Sequence, residues 1–418
     1  MDVADGKSAR PTKRADEAAQ SQGGSEMRQR KMVFGVIFLS IMLSFMLVVT
    51  PAARPSTPDH STWSLSADRD RDDESQNRDK VCKQNKRPQK CQTVSTGGVA
   101  VTVTFDVPGA ALTWALGINS ADAIVGYFQD TTASAAYHGF IHQGTTYTTG
   151  YTTVDVPGAI LTWVQGVNDL GDIVGIYEDS TGTTHGFLHH GTDYTQGYLT
   201  LSVPGAECCI SPNGIANDGT IAGTYGGKGH IHGFMHKGTD LTTGYSTIDY
   251  PSTATVTATD TVANAIDRSD GVAGYYFDQN FAAHGFTLRS GTFSTMDAPG
   301  TLVPRPSGTS TQVYGTNSLG VVVGYYLDSG FQYDAFQAQG TTFKLVTAGT
   351  GNIVFAYGIN ENGDVVGEVY DSVAGKYHGL AIIAASNSAT THTGRGDDDD
   401  KNQHRDNDNN ENGEGGSH

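Results

Sequence analysis

The run Trp163-Val164-Gln165-Gly166-Val167-Asn168-Asp169-Leu170-Gly171-Asp172-Ile173-Val174-Gly175-Ile176-Tyr177 places two short apolar stretches on either side of Asn-Asp-Leu-Gly. Asn opens a type I turn and Gly takes its left-handed position, which predicts a tight hairpin between strands at 163–167 and 173–177. Downstream, His185-Gly186-Phe187-Leu188 predicts a third strand. Tyr198 to Val203 predicts a fourth, stopped by Pro204-Gly205, which cannot continue a ladder. No sustained helical period interrupts the four.

This block recurs six times between Val101 and about Ala385, with a period of about 48 residues. Its register is marked by His138-Gly139-Phe140, His185-Gly186-Phe187, His232-Gly233-Phe234 and His284-Gly285-Phe286, then by the degenerate Asp334-Ala335-Phe336 and His378-Gly379-Leu380. A four-stranded antiparallel unit cannot bury both faces alone, so units at this spacing stack around an axis. The prediction is an all-β, six-bladed β-propeller of four-stranded blades. Val101 to Pro108 is a lone fourth-type strand, while the last copy stops after Leu380-Ala381-Ile382-Ile383 without one. The N-terminal strand is therefore expected to complete the last blade and remove the open edges.

Residues 97–385 form the repeat region, and the flanks are of other kinds. Met32 to Val49 is an apolar run led by Arg28-Gln29-Arg30-Lys31 and followed by Pro51-Ala52-Ala53, which predicts a signal peptide over 32–53. The alternative is an uncleaved anchor, with residues 32–50 spanning a membrane. Residues 1–31 are then an n-region or cytoplasmic extension, and Met27 would make a conventional start. Residues 54–96 read as a polar linker and 386–418 as an acidic, disordered tail.

Between Val101 and Ala385 stand 24 acidic and 7 basic residues, a net −17 within a chain total of −18. An acidic ring argues against nucleic acid, whose phosphates need clustered Lys and Arg. The cysteines suit export: Cys82 and Cys91 are spaced to close a small loop, and Cys208-Cys209 are either a vicinal disulfide, thiols, or bridged elsewhere.

The histidine pairs His138/His142, His185/His189 and His232/His236 have the spacing of helical metal ligands. On a strand, four residues span roughly 13 Å, too far to share an ion. His138, His185, His232, His284 and His378 are read instead as structural residues tying strands within each blade. Asn119, Asn168, Asn217, Asn317 and Asn360 are read as a second repeated structural position. The acids Asp106, Asp155, Asp249 and Asp297 are read as turn caps, a position filled by Ser202 in one copy and Val346 in another. No Gly-x-Ser-x-Gly elbow, Walker loop or unrepeated His and Cys pair is present, so no catalytic, metal or cofactor residue is predicted.

Gly117-Ile118-Asn119, Val125-Gly126-Tyr127, His138-Gly139-Phe140-Ile141 and the 358–367 segment together resemble the extracellular HAF repeats of bacterial exported proteins. Gly stands here where that family has Ala, as in a divergent branch. The resemblance implies export and tandem β-repeats, and brings no activity or catalytic residue. The function expected is a monomeric, non-enzymatic module, secreted or on the cell surface, that binds a glycan or an envelope partner. The alternatives are a propeller enzyme acting on polysaccharide and a structural envelope protein. The inter-blade connections lengthen from 8 residues at Gly109 to Gly117 to 15 at Gly300 to Gly315. They place Glu207, Cys208, Cys209 and Arg305 on one candidate ligand face, opposite short turns.

Overall fold

Every secondary-structure element of the computed structural model, which describes residues 100–253, 256–299, 311–328, 332–348 and 352–384, is a strand. A leading strand, β1 (Val101–Phe105), precedes the first copy: β2 (Ala110–Ile118), β3 (Ile124–Asp130), β4 (Tyr137–His142) and β5 (Tyr151–Val154). The second copy supplies β6 (Leu161–Val167), β7 (Ile173–Glu178), β8 (Thr184–His189) and β9 (Leu199–Thr200). The third supplies β10 (Cys208–Ile215), β11 (Ile221–Gly227), β12 (His230–His236) and β13 (Tyr245–Ile248). The fourth contributes β14 (Ala258–Ile266), β15 (Val272–Asp278), β16 (Ala283–Arg289) and β17 (Thr292–Met296). The fifth contributes β18 (Thr311–Thr316), β19 (Val321–Leu327), β20 (Tyr333–Gln339) and β21 (Thr342–Val346), and the last β22 (Ile353–Ile359), β23 (Val365–Asp371) and β24 (Lys376–Ile383).

The chain is a β-propeller in which four blades are separate four-stranded sheets: β10 to β13, β14 to β17, β18 to β21, and β22-β23-β24-β1. The first two copies are not separate as expected. They share one eight-stranded sheet, because Tyr137 and Leu161 form a single parallel bridge between β4 and β6. The N-terminal strand closes the last blade as predicted, with Val101 opposite Ile383 through Phe105 opposite Gly379.

Hydrophobic burial lies mainly between copies rather than within them. Val125, Ile141 and Val154 pack on Val164, Ile173 and Phe187 of the next copy, and Phe105, Ile124 and Phe140 pack on Val366 and Ala381 of the last. Phe140, Phe187, Phe234, Phe286 and Phe336, the aromatic of each repeat motif, are completely buried. Truncating one to Ala would cost about 3–5 kcal/mol in transfer and cavity terms.

Polar groups of the repeats link the copies as well. Asn168 Oδ1 accepts from the backbone of Leu170 and Asp172, holding its own turn, while Nδ2 donates to Ala216 O at 3.2 Å. Asn119 reaches Asn168 O at 2.9 Å, Asn317 reaches Asn360 O at 3.0 Å, and Asn360 returns to Asn119 O at 3.1 Å. Asn217 does not belong to this circuit. The equivalent residue is Ala216, and Asn217, one place later, bonds Asp169 instead.

The fourth copy carries Asp267 at the circuit position, and a carboxylate cannot donate. Arg289 supplies the missing donor, bonding Asn317 O at 2.8 Å and pairing with Asp267 at 2.7 Å.

The repeated histidines and aspartates are partners of each other. His138 Nδ1 donates to Asp155 at 2.9 Å, His232 to Asp249 at 3.0 Å, His284 to Asp297 at 3.1 Å and His378 to Asp106 at 3.0 Å. The histidine does tie the third strand to the fourth, whereas the aspartate is not a turn cap. A threonine of the next strand serves the turn instead: Thr113, Thr162, Thr261 and Thr311 Oγ1 accept from the N–H of Val107, Val156, Tyr250 and Ala298. His185, whose copy has Ser202, turns to Asp179 at 2.8 Å. In the fifth copy Val346 pairs with Ala335, as Val154 pairs with Gly139. The aspartate-equivalent residue there is therefore Thr347, and the motif histidine is lost with it.

His142, His189 and His236 sit in a different environment from their motif neighbours, buried and donating Nε2 to Thr146 O, Asp193 O and Asp240 O. These bonds brace connections such as Gln143 to Gly150. The turns opposite the candidate face are thus not uniformly short. The first three copies carry these longer third-to-fourth connections, while Ser290-Gly291 joins β16 to β17 directly.

Candidate functional site

Where the first strands converge, backbone meets backbone. A Cβ on Gly117 would stand 3.0 Å from Gln165 O, on Gly166 2.9 Å from Asn213 O, and on Gly214 3.0 Å from Ile266 N. On Gly315 it would stand 2.7 Å from Tyr357 O, and on Gly358 2.9 Å from Leu116 O. Glycine permits this approach in five copies, with Ala265 at the equivalent position of the fourth, and the copies close up around a cavity of about 210 Å³ lined by residues from all six.

Two repeat positions face this cavity, and both vary between copies. Immediately before the glycine, or before Ala265 in the fourth copy, stand Leu116, Gln165, Asn213, Asn264, Tyr314 and Tyr357. Across the second strands stand Tyr127, Ile176, Thr224, Tyr275 and Tyr325. Trp163, Ser211, Tyr225 and Thr316 also line it, and none of the described lining residues is Asp, Glu, His, Lys or Arg. One side is aromatic, from Tyr275 through Tyr314, Tyr325 and Tyr357 to Tyr127 and Trp163. The other carries Gln165, Ser211, Asn213, Thr224 and Asn264.

Packing holds the aromatic side rigid. Tyr127 lies stacked between Trp114 and Trp163, with centroids at 4.7 and 4.5 Å. Tyr314 stacks on Tyr325 at 5.2 Å and meets Tyr357 edge-on at 5.1 Å. Burial pushes the hydroxyls of Tyr127, Tyr275, Tyr314, Tyr325 and Tyr357 upward, so all are neutral near pH 7. Behind Tyr357 sits Glu368, which replaces the second-strand tyrosine in the last copy. It is 1 % exposed, accepts from Tyr357 OH at 2.9 Å, and is pushed well above the usual carboxylate range by desolvation.

At one end of the cavity, Cys208 and Cys209 form a vicinal disulfide, and Cys209 joins the lining. Cys209 takes φ 62°, and the strand is irregular there, with a register shift between Cys208 and Ser211. Glu207 is exposed beside it, its N–H bonded to Gly226 O at 2.8 Å. Arg305, Cys82 and Cys91 lie outside the described residues, as do the apolar run at 32–49, the linker and the tail. At the opposite mouth a smaller cavity of about 70 Å³ is rimmed by Asn119, Asn168, Asp267, Arg268, Asn360 and Glu361.

Of the residues expected on the ligand face that are described, Cys209 lines the cavity, and Glu207 and Cys208 do not. Trp163, the tyrosines and the carboxamides were not singled out from sequence. The signal available was variation: the residue before the glycine changes from copy to copy while its neighbours repeat.

No family model matches the sequence, and no curated protein matches it significantly. Solved structures are similar in chain trace at low identity. TolB from Acinetobacter baumannii is 12 % identical with a TM-score of 0.40, covering 63 % of this chain and 64 % of TolB. The Hadza microbial sialidase Hz136 is 13 % identical with a TM-score of 0.41, covering 67 % and 66 %. A fucose-specific lectin from Aleuria aurantia is 10 % identical with a TM-score of 0.32, covering 60 % and 80 %. Likenesses this distant carry no argument about function.

Proposed function

We propose that this protein is a six-bladed, divergent HAF-repeat propeller that is exported to the bacterial surface or exterior and binds a sugar-sized ligand without chemical conversion. The observation that carries this reading is the axial cavity, aromatic on one side and carboxamide on the other, with an uncharged lining. Aromatic faces receive the C–H faces of a sugar, while amides and hydroxyls satisfy its polar edges. At about 210 Å³ the cavity is smaller than the ~300–1,000 Å³ of sites for drug-sized molecules, which favours a single ring.

Two further observations support the count and the compartment. The shared sheet of copies one and two divides into two antiparallel quartets joined at one bridge, which beside the four separate sheets supports a count of six. The Cys208–Cys209 disulfide suits an oxidising compartment. The basic lead and apolar run before residue 54 support export, by cleavage or by anchoring. Polysaccharide cleavage, the second reading, most commonly uses two carboxylates across a cleft, and none stands among the described residues of the cavity lining.

Calorimetric titration with a panel of monosaccharides tests the proposal. Trp163→Ala and Asn264→Ala should each weaken binding about tenfold or more while the circular dichroism spectrum is retained. Unchanged affinity in both folded variants would remove the cavity as the binding site.

A further inference from the structure

We infer that the axial cavity is built for an amino sugar with a free, protonated primary amine, in preference to a neutral sugar; this rests on the cavity being the binding site. The argument begins with where the tyrosine protons go. Tyr357 OH donates to Glu368 Oε1 at 2.9 Å, and the Tyr314 and Tyr325 hydroxyls, 3.1 Å apart, lie 2.9 and 3.0 Å from Gln312 Oε1, so both of their protons are used within that trio. A phenol has one proton, so three lining hydroxyls can offer a guest only lone pairs.

The carboxamide side leans the same way. Asn213 Nδ2 donates to Ala263 O at 2.9 Å and Asn264 Nδ2 to Val313 O at 2.8 Å. Backbone carbonyls accept only, so these bonds fix the orientation of both amides; Ser211 Oγ donates to Asn213 Oδ1 at 2.8 Å, and Oδ1 of each amide is on the accepting side. An ammonium group has three donors and no acceptor, which suits the accepting hydroxyls of Tyr314, Tyr325 and Tyr357. Tyrosine and tryptophan rings add attraction for a cation.

Glu368 supplies the charge. The other copies hold Tyr127, Ile176, Thr224, Tyr275 and Tyr325 at its position, so the acid is particular to the last copy. Its Oε2 is buried without a hydrogen-bond partner, one tyrosine hydroxyl away from the cavity. The titratable groups around it are Tyr357, Tyr127, Tyr325 and Tyr377, all of them raised and neutral. In the empty cavity burial favours the neutral acid. A cation at Tyr357 favours the carboxylate, so binding releases a proton to solvent.

The test is calorimetric titration of the protein with D-glucosamine, N-acetyl-D-glucosamine and D-glucose. Glucosamine should bind about tenfold or more tightly than the other two, and Glu368→Gln should erase that preference. In wild type, glucosamine titrated in buffers of different ionisation enthalpy should show proton release, a readout independent of how the variant folds. Equal affinity for all three sugars, or binding without proton release, overturns this inference and leaves the cavity reading standing. Binding of none of the three overturns both.

Discussion

His378 Nδ1 donates to Asp106 at 3.0 Å across 272 residues of sequence, so the two ends of the repeat region meet in one hydrogen bond. Lys376 joins the same carboxylate at 2.8 Å. Deleting residues 101–108 removes these bonds together with the five residue pairs between β1 and β24, and exposes β24 as an edge. The truncated protein should melt far below the parent or aggregate, as read by thermal denaturation and size-exclusion chromatography. Asp106→Asn, which keeps the ladder, should cost only about 1 kcal/mol because both partners are partly exposed.

Arg289→Ala should be much more damaging than its place on the surface suggests. It leaves the buried Asp267 carboxylate without its cation and Asn317 O without its donor. A cost of about 2–3 kcal/mol is expected, below that of a fully buried pair because Arg289 is 34 % exposed. Adding Asp267→Asn restores the residue found in other copies, so the double variant should recover much of the loss in urea denaturation. A double variant no more stable than Arg289→Ala would contradict the proposed exchange of donors.

His284 is raised from its ordinary value, first by its hydrogen bond to Asp297 and then by the nearby carboxylates, against the opposing effect of burial. A histidine raised on folding stabilises the native state fully below its unfolded value of about 6.5, and loses that contribution as pH rises through the folded value. Thermal melts across that range should show stability falling with pH, and Asp297→Asn should flatten the fall. An identical slope in the variant would mean the pair does not govern it.

Glu368 has the same sign for a different reason. Desolvation raises its carboxyl, so the native state holds a proton that the unfolded chain gives up above about 4.3, and stability declines as pH climbs beyond that point. Glu368→Gln keeps the shape and removes the titration. It should be at least as stable as wild type at pH 7 and show a flatter profile above pH 5 in melting experiments; a steeper profile would exclude a buried neutral acid.

The parts legible from sequence were those set by local chemistry repeated in register. Asn168 to Gly171 states a hairpin through turn geometry alone, and the missing fourth strand after Ile383 implied the role of β1. Pairing across 17 residues, as between His138 and Asp155, is not local. It was visible only as joint change, since the copy with Ser202 rebonds its histidine and the copy with Thr347 has none. Asn217 was misplaced because an Asn adjacent to Ala216 mimics the repeated position, and the circuit bond that distinguishes them crosses to another copy. The Tyr137–Leu161 bridge depends on how two units lean together, which no pattern within either unit encodes.

The glycines at the axis have a consequence for how this ring can change. Because Gly117, Gly166, Gly214, Gly315 and Gly358 bring main chain against main chain, the width of the bore is a property of the peptide skeleton. The residues before them, from Leu116 to Tyr357, decorate that bore without setting it. The closeness of the main chains at the axis and the chemistry of the cavity wall are therefore written in separate positions, so the wall can be altered a side chain at a time while the glycine contacts stay as they are.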